Sequence, residues 1–308
     1  MMPPPSPART DVPATADTAA DPTDPGTIPA AGSAVPPSSL NDPARLLRSP
    51  LLRRVALRIV GITVLLVIWW IAAARTDNPT IIPSPGAVWH QLIQTSTTHD
   101  GTVGFQGYTL LQHLGISLRR ILFGSAIGVA VGLPLGLLMG TIGWIRIVLE
   151  PFVTFLRALP PLAYFSLLII WFGIDEEPKI WLLAIAAMPP VAVAAAAATA
   201  AAPIGLVEAA RALGAKRRQV LTGVVLPAAI PEISTGIRIA VGIAYSSVVA
   251  AETVNGLPGI GGMVRDAQRY NQSDIVILGI IVIGLSGLAI DILLRTVFDR
   301  VTPWRGRT

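Results

Sequence analysis

From residue 57 onward the chain alternates long apolar stretches with short polar ones. Six stretches, Leu57 to Ala74, Leu118 to Gly140, Ile147 to Phe172, Ile180 to Ala200, Ile230 to Ala251 and Ile275 to Val297, approach or exceed the roughly 20 residues with which a helix crosses a ~30 Å hydrocarbon core. Alternating strands are not evident, which disfavours a β-barrel. The pattern predicts an all-α membrane protein, a six-helix transmembrane bundle.

The polar connections differ in character. Between Arg75 and Ser117, "PSPGAVWHQLIQ" and "GYTLLQHLGISLRR" predict short interfacial helices opened by Ser-Pro-Gly and Gly punctuation. Between the fifth and sixth spans, "NGLPGIGGMVRDAQRYNQSD" predicts a turn-rich external or re-entrant loop. Its glycines do not make a nucleotide loop, because no strand precedes them. Residues 1–50 are rich in Pro, Ala, Ser, Thr and Asp and bury too little apolar surface to offset chain entropy. They predict a disordered cytoplasmic tail, leaving 51–308 as the membrane domain. No internal repeat is evident, which weighs against a secondary transporter built from inverted repeats.

Composition agrees with the pattern: 308 residues, 52% hydrophobic and 13% charged, with a mean hydropathy of +0.64. Cysteine is absent and the three histidines, His90, His99 and His113, fall in no metal-binding spacing. The net charge of +5 is read as loop anchoring at the lipid surface rather than as nucleic-acid binding. Arg45, Arg48, Arg53, Arg54 and Arg58 precede the first span, Arg146 follows the second, and Arg211, Lys216, Arg217 and Arg218 follow the fourth. Arg295, Arg300, Arg305 and Arg307 follow the sixth, so the positive-inside rule places both termini in the cytoplasm. Arg119 and Arg120 dissent, at the outer end of the second span, where they snorkel or pack against an external segment.

One passage interrupts the apolar pattern with charge: "VEAARALGAKRRQVLTGVVLPAAIPE", Val207 to Glu232. Good helix formers precede Gly214, which stands where a left-handed cap ends a first short helix. "AKRRQVL" restarts the helical pattern, and Leu226-Pro227 marks the start of the next span. Ala209, Ala210 and Ala212 keep one face small enough for another protein's groove to close on it.

The order Glu208-Ala209-Ala210, Gly214, Val224 and Leu226-Pro227 resembles the EAA loop of importer permeases in the ATP-binding-cassette (ABC) superfamily. "LRALPPLAYFSLLIIWFGI", "LPAAIPEISTGIRIAVGIAYSSVVAAE" and "RVTPWRG" are similar to the sulfonate, nitrate and bicarbonate branch, above all to its taurine permeases. The likeness runs from residue 57 to 306. "GIDEEPK" departs from it with three acids, and "AAAAATAAAPIG" with its run of alanines. The resemblance implies the type I importer bundle, with residues 203–227 as the coupling helix that sits in a cleft of the ATPase. In that loop Glu208 makes a polar contact with the ATPase, Gly214 the turn and Arg217 a charged contact. It also implies a permease homodimer, a cytoplasmic ATPase dimer that carries ATP and Mg, and an extracytoplasmic solute-binding protein, with no cofactor on this chain.

No nucleophile elbow, catalytic triad or phosphate loop is present, so this chain is expected to be a transport subunit and not an enzyme. Ionisable residues within apolar runs are costly and mark candidates for the translocation path: Arg157, Glu232, Arg238, Glu252 and Asp291. Tyr164, Tyr245, Ser246 and Ser247 are their polar or aromatic companions. Glu232 and Arg238 are six residues apart and do not face each other on one helix, so each is expected to find a partner elsewhere. The resemblance ranks taurine or another small organosulfonate first as substrate, with nitrate or bicarbonate as the alternative. A secondary transporter stands further behind.

Overall fold

The computed structural model describes residues 50–76, 78, 80–99, 102–254, 256 and 258–303. Residues 1–49 of the predicted tail, and Arg305 and Arg307, lie outside the described residues. The chain divides into two units, Met1–Arg58 and Ile59–Thr308. The described part of the first is the opening of a helix, α1 (Pro50–Arg75).

In the second unit, Ser84 opens α2 (Pro85–Ser96): its Oγ accepts the Ala87 N–H at 3.2 Å, and Pro85 supplies a preset φ at the first helical position. A two-stranded hairpin follows, β1 (Thr98–His99) with β2 (Thr102–Val103). Thr109 and Gln112 then form a reciprocal capping box for α3 (Leu110–Thr141). Since nothing breaks the helix between that cap and the apolar run, "LLQHLGISLRR" is the first part of α3 and not the separate interfacial helix its polarity suggested.

The third predicted span is corrected as well. It consists of α4 (Gly143–Ala158) and α5 (Pro161–Phe172), bent by 96°. Pro160 and Pro161 cannot continue a ladder of backbone bonds, and Leu159, which precedes a proline, is held extended at φ −73°, ψ 127°. Arg157 is therefore an exposed residue in the last turn of α4, not an ionisable group within an unbroken apolar span.

α6 (Glu177–Ala200), α7 (Ile204–Ala212) and α8 (Arg217–Val220) follow, then a π-helical turn, Leu221–Val225, and α9 (Leu226–Val254). α8, the π turn and α9 make one helical span, Arg217–Val254. The fifth span thus starts well before Ile230, and Leu226-Pro227 lies inside it. In an α-helix the Pro227 ring would meet the carbonyl four residues back, and the wider turn, in which the Leu226 N–H reaches Leu221 O, relieves that clash. The loop expected to be turn-rich contains a further helix, α10 (Ile260–Arg269), before α11 (Ser273–Val301). Among the described residues five helices are long and apolar enough to span, or six if the bent α4–α5 pair counts as one.

α6 forms the core. Leu182, Leu183, Ala187, Val191, Ala192 and Ala195 are all fully buried. In lipid there is little hydrophobic gain from hiding such residues, so close van der Waals packing must hold the helices together. Five glycines one turn apart on α3, at 124, 128, 132, 136 and 140, supply it by facing α6 without side chains. A Cβ on Gly128 would fall 2.6 Å from Ala184 O, and one on Gly140 2.7 Å from Ala196 O. The two helices therefore run parallel with their backbones nearly touching. The alanine run at the end of α6 is the other half of this contact.

Candidate functional site

The loop end of the bundle is built by backbone geometry. Gly214 has φ +84°, a left-handed conformation in which side chains are strained. The Ala215 N–H bonds Ala210 O at 3.0 Å and the Gly214 N–H bonds Arg211 O at 2.9 Å, the paired closure of a Schellman motif. The Lys216 N–H then donates to Gln219 Oε1 at 2.8 Å as α8 begins. Glu208, Ala209 and Arg217 are exposed, Ala210, Leu226 and Pro227 half-buried. Ile204, Leu206 and Leu213, large apolar residues of the same segment, are 75%, 56% and 90% exposed. Behind the loop a cavity of about 750 Å³ separates it from the ends of α3 and α6, lined by Thr141, Thr199, Val207, Arg211, Arg217 and Val220.

At the opposite end a polar junction is buried in the bundle except at Glu176, whose side chain is 38% exposed. His113, Ser117 and Arg120 stand at i, i+4 and i+7 on α3, and all three are buried. Arg120 Nη1 donates to Glu252 Oε1 at 2.5 Å, while Arg120 Nε donates to Glu176 Oε2 at 2.6 Å and Nη2 to Glu176 Oε1. Ser117 Oγ donates to Glu252 at 2.7 Å. The start of α10 closes on this cluster: the Gly261 N–H donates to Glu252 Oε2 at 2.9 Å, the Ile260 N–H to Ser117 Oγ at 3.0 Å and the Gly259 N–H to His113 Nδ1 at 3.2 Å. Because Nδ1 accepts, His113 Nε2 carries the proton given to Phe105 O at 3.1 Å, and the ring is neutral. A carboxylate placed against the first N–H groups of a helix is favoured by the helix dipole as well as by its hydrogen bonds. Lys179 approaches Glu176 at 3.8 Å and is itself buried. Hydrogen bonding to Arg120 is the main reason that the Glu176 carboxyl is held below the usual carboxylate range; burial opposes this and the Arg120, Lys179 and Arg119 charges reinforce it.

The remaining path candidates are dispersed. Glu252 belongs to that junction and is fully buried. Arg238 pairs across to α11: Nη2 lies 2.7 Å from Asp291 Oδ1 and 2.9 Å from Oδ2. Tyr245 reaches the same helix, donating to Ile283 O at 2.6 Å with Ser286 Oγ also at 2.6 Å. Ser246 and Ser247 return their hydroxyls to the Ile243 carbonyl of their own helix. Tyr164 packs with Phe165, Leu168 and Leu182. Glu232 is exposed beside Ala228, Pro231 and Thr235. Among the described residues no group of His, Asp and Glu side chains gathers as a metal-holding cluster.

Residues 132–303, from the middle of α3 to just past α11, match the family of binding-protein-dependent transport system inner membrane components. The chain belongs to this family. The permease is 41% identical over 260 residues to the taurine transport system permease protein TauC of Escherichia coli, which covers 84% of this chain and 93% of TauC. It is 31% identical over 248 residues to the bicarbonate transport system permease protein CmpB of Synechococcus elongatus, 77% of this chain and 86% of that one. Its fold is similar to that of one chain of the inward-facing MetNI methionine ABC transporter, at a TM-score of 0.53 and 22% identity, with 63% of this chain and 94% of the other covered. It is therefore a multi-pass inner-membrane subunit of an ABC importer and not itself an enzyme; such a subunit works with an ATPase and a solute-binding protein.

Sequence reasoning about the permease overlooked His113, Ser117, Glu176 and Lys179. A signal for the first two was present: a polar residue at every fourth or third position in an otherwise apolar helix marks a single buried face. One of the three acids of "GIDEEPK", which stood out as a departure from the family, is Glu176, one of the two partners of Arg120. The dissenting Arg120 is held within the bundle by ion pairs and does not snorkel.

Proposed function

We propose that this permease imports taurine or a related small organosulfonate, as a homodimer joined to a cytoplasmic ATPase dimer and fed by an extracytoplasmic solute-binding protein. The substrate assignment rests on the 41% identity to a taurine permease across nearly all of that relative's length. Similarity to a bicarbonate permease makes a small inorganic anion the second reading. ATP and Mg belong to the ATPase, and this chain holds neither. The basic residues Arg53, Arg54 and Arg58, the Lys216-Arg217-Arg218 run and Arg295 and Arg300 support a cytoplasmic position for both termini and the Gly214 loop.

α7 is the coupling helix. Its exposed apolar residues and Glu208 enter the ATPase cleft, Arg217 makes a charged contact beside it, and the Gly214 turn sets the angle at which α7 meets the span. ATP-driven closure of the ATPase pair draws two such helices together and favours one of the two access states of the bundle. The cavity behind the loop gives α7 room to move against α3 and α6.

The test is uptake of labelled taurine by cells lacking their own sulfonate importers that express this permease with its ATPase and binding protein, beside the same set carrying Gly214→Pro. Uptake in the first and none in the second, at equal permease abundance, supports substrate and coupling together. An assembled complex that hydrolyses ATP yet carries no taurine discards that substrate.

A further inference from the structure

Among the described residues two ion pairs join one spanning helix to another, and they differ in one respect. Arg120 and Glu252 are sealed, with side chains 1% and 0% exposed. Arg238 and Asp291 are open, at 26% and 51%. A structural pair in a span is expected to be closed off, because ions left facing hydrocarbon are costly. The open pair must face water or another protein surface.

It also borders a small cavity of about 200 Å³ between α9 and α11. Two glycines keep that space empty, each one turn from a charged residue: Gly242 after Arg238 and Gly287 before Asp291. A Cβ on Gly242 would meet nothing within 4 Å. Tyr245 forms a further wall, its hydroxyl tied to Ile283 O and Ser286 and its ring 3.2 Å from where a Gly287 Cβ would sit. The space lies below the roughly 300 Å³ at which drug-sized sites begin, so it suits a small solute.

We infer that Arg238 and Asp291 form a binding site for a small zwitterion carrying one oxyanion and one ammonium group; this rests on the organosulfonate reading above and narrows it to aminosulfonates. Such a solute replaces each ion's partner with an equivalent one. Its sulfonate oxygens take the guanidinium fork, which suits planar, multidentate contact with an oxyanion, and its ammonium takes the Asp291 carboxylate. Neither residue is then left with an uncompensated charge. A simple monoanion on Arg238 would strand Asp291, and this difference gives the site its selectivity.

The experiment is equilibrium dialysis of the purified permease–ATPase complex, without the binding protein, against labelled taurine and, separately, labelled ethanesulfonate, which lacks the ammonium. The complex is expected to bind taurine saturably and more tightly than ethanesulfonate. Arg238→Gln weakens both by roughly tenfold or more, whereas Asp291→Asn weakens taurine by roughly tenfold and erases the preference for it. Gly242→Leu, which fills the cavity and leaves the ion pair in place, also abolishes binding. Co-purified ATPase per permease certifies assembly of each variant. The site is overturned if the intact complex binds no taurine, or if the apolar double variant Arg238→Met/Asp291→Leu, which a merely structural pair tolerates, binds taurine as the parent does. Taurine uptake by the complete importer is measured independently, so the substrate reading stands or falls without this site.

Discussion

Replacing Arg120 by Met removes the one guanidinium that joins Glu176 to Glu252 while keeping an unbranched, apolar side chain of comparable length. Glu252 is then left fully buried, with Ser117 Oγ and the Gly261 N–H as its remaining donors and no opposing charge in contact. Two unit charges about 4 Å apart at an effective dielectric near 20 interact by about 4 kcal/mol, and breaking a buried pair by removing one member typically costs about 3–5 kcal/mol. For a domain of this size each kcal/mol moves a melting transition by about 2–4 °C, which gives an expected fall of about 6–20 °C. Glu252→Gln retains an oxygen that accepts from Gly261 but removes the stranded charge. Arg120→Met is therefore expected to cost at least ~1 kcal/mol less in that background than alone. The measurement is a thermal melt of the purified complex for all four members of the cycle, at one detergent and protein concentration. A single variant melting within about 2 °C of the parent, or equal costs in both backgrounds, would refute the assignment of Arg120 as the electrostatic centre of the junction.

Gly128→Val is expected to force α3 off α6, with a penalty in or above the ~1–3 kcal/mol range of overpacked cores, read as lost folded yield. Gly115→Ala, on the same helix with nothing within 4 Å of its added Cβ, is the control and is expected to be neutral or stabilising by up to ~1 kcal/mol. Leu213→Gln, at a 90% exposed position, should leave the melt within about 0.5 kcal/mol of the parent yet reduce recovery of the ATPase on the purified permease. Since the folded Glu176 carboxyl titrates below its unfolded value, its contribution is complete above the ordinary glutamate pKa of about 4.3 and is lost as pH falls through the lowered folded one. Melts should therefore be flat with respect to this group from pH 5 to 8, a window set by those values, and Glu176→Gln should reduce the acid sensitivity seen below it.

The spans and the loop were legible because each is a local property: hydropathy over one stretch, or a glycine at a fixed distance from the Glu of a short helix. The break in the third span was masked by its apolarity. Pro160 and Pro161 announce it, but a hydropathy window counts them as neutral residues in a long run. The junction around Arg120 was hidden for a different reason. Its parts come from α3, the segment before α6, the end of α9 and the start of α10, and only packing brings them together. The Arg238 partnership lay between: its cost within a span could be read from the residue alone, but the identity of its partner, 53 positions away, could not. The glycines of α3 were also written plainly, at every fourth position, yet their meaning depends on which helix faces them.

The wide turn at Leu221–Val225 carries one more residue than an α-helical turn would, and everything after it inherits the offset. Each residue of an α-helix turns the chain by about 100°. Excising a single residue there would swing Arg238 about a quarter of a revolution away from Asp291, and Glu252 away from Arg120, without touching any of the four. The register of both ion pairs is thus set far below them, beside the loop where the ATPase is proposed to act, so a turn that gained or lost its extra residue would act on the whole length of α9 as a rotation about its axis.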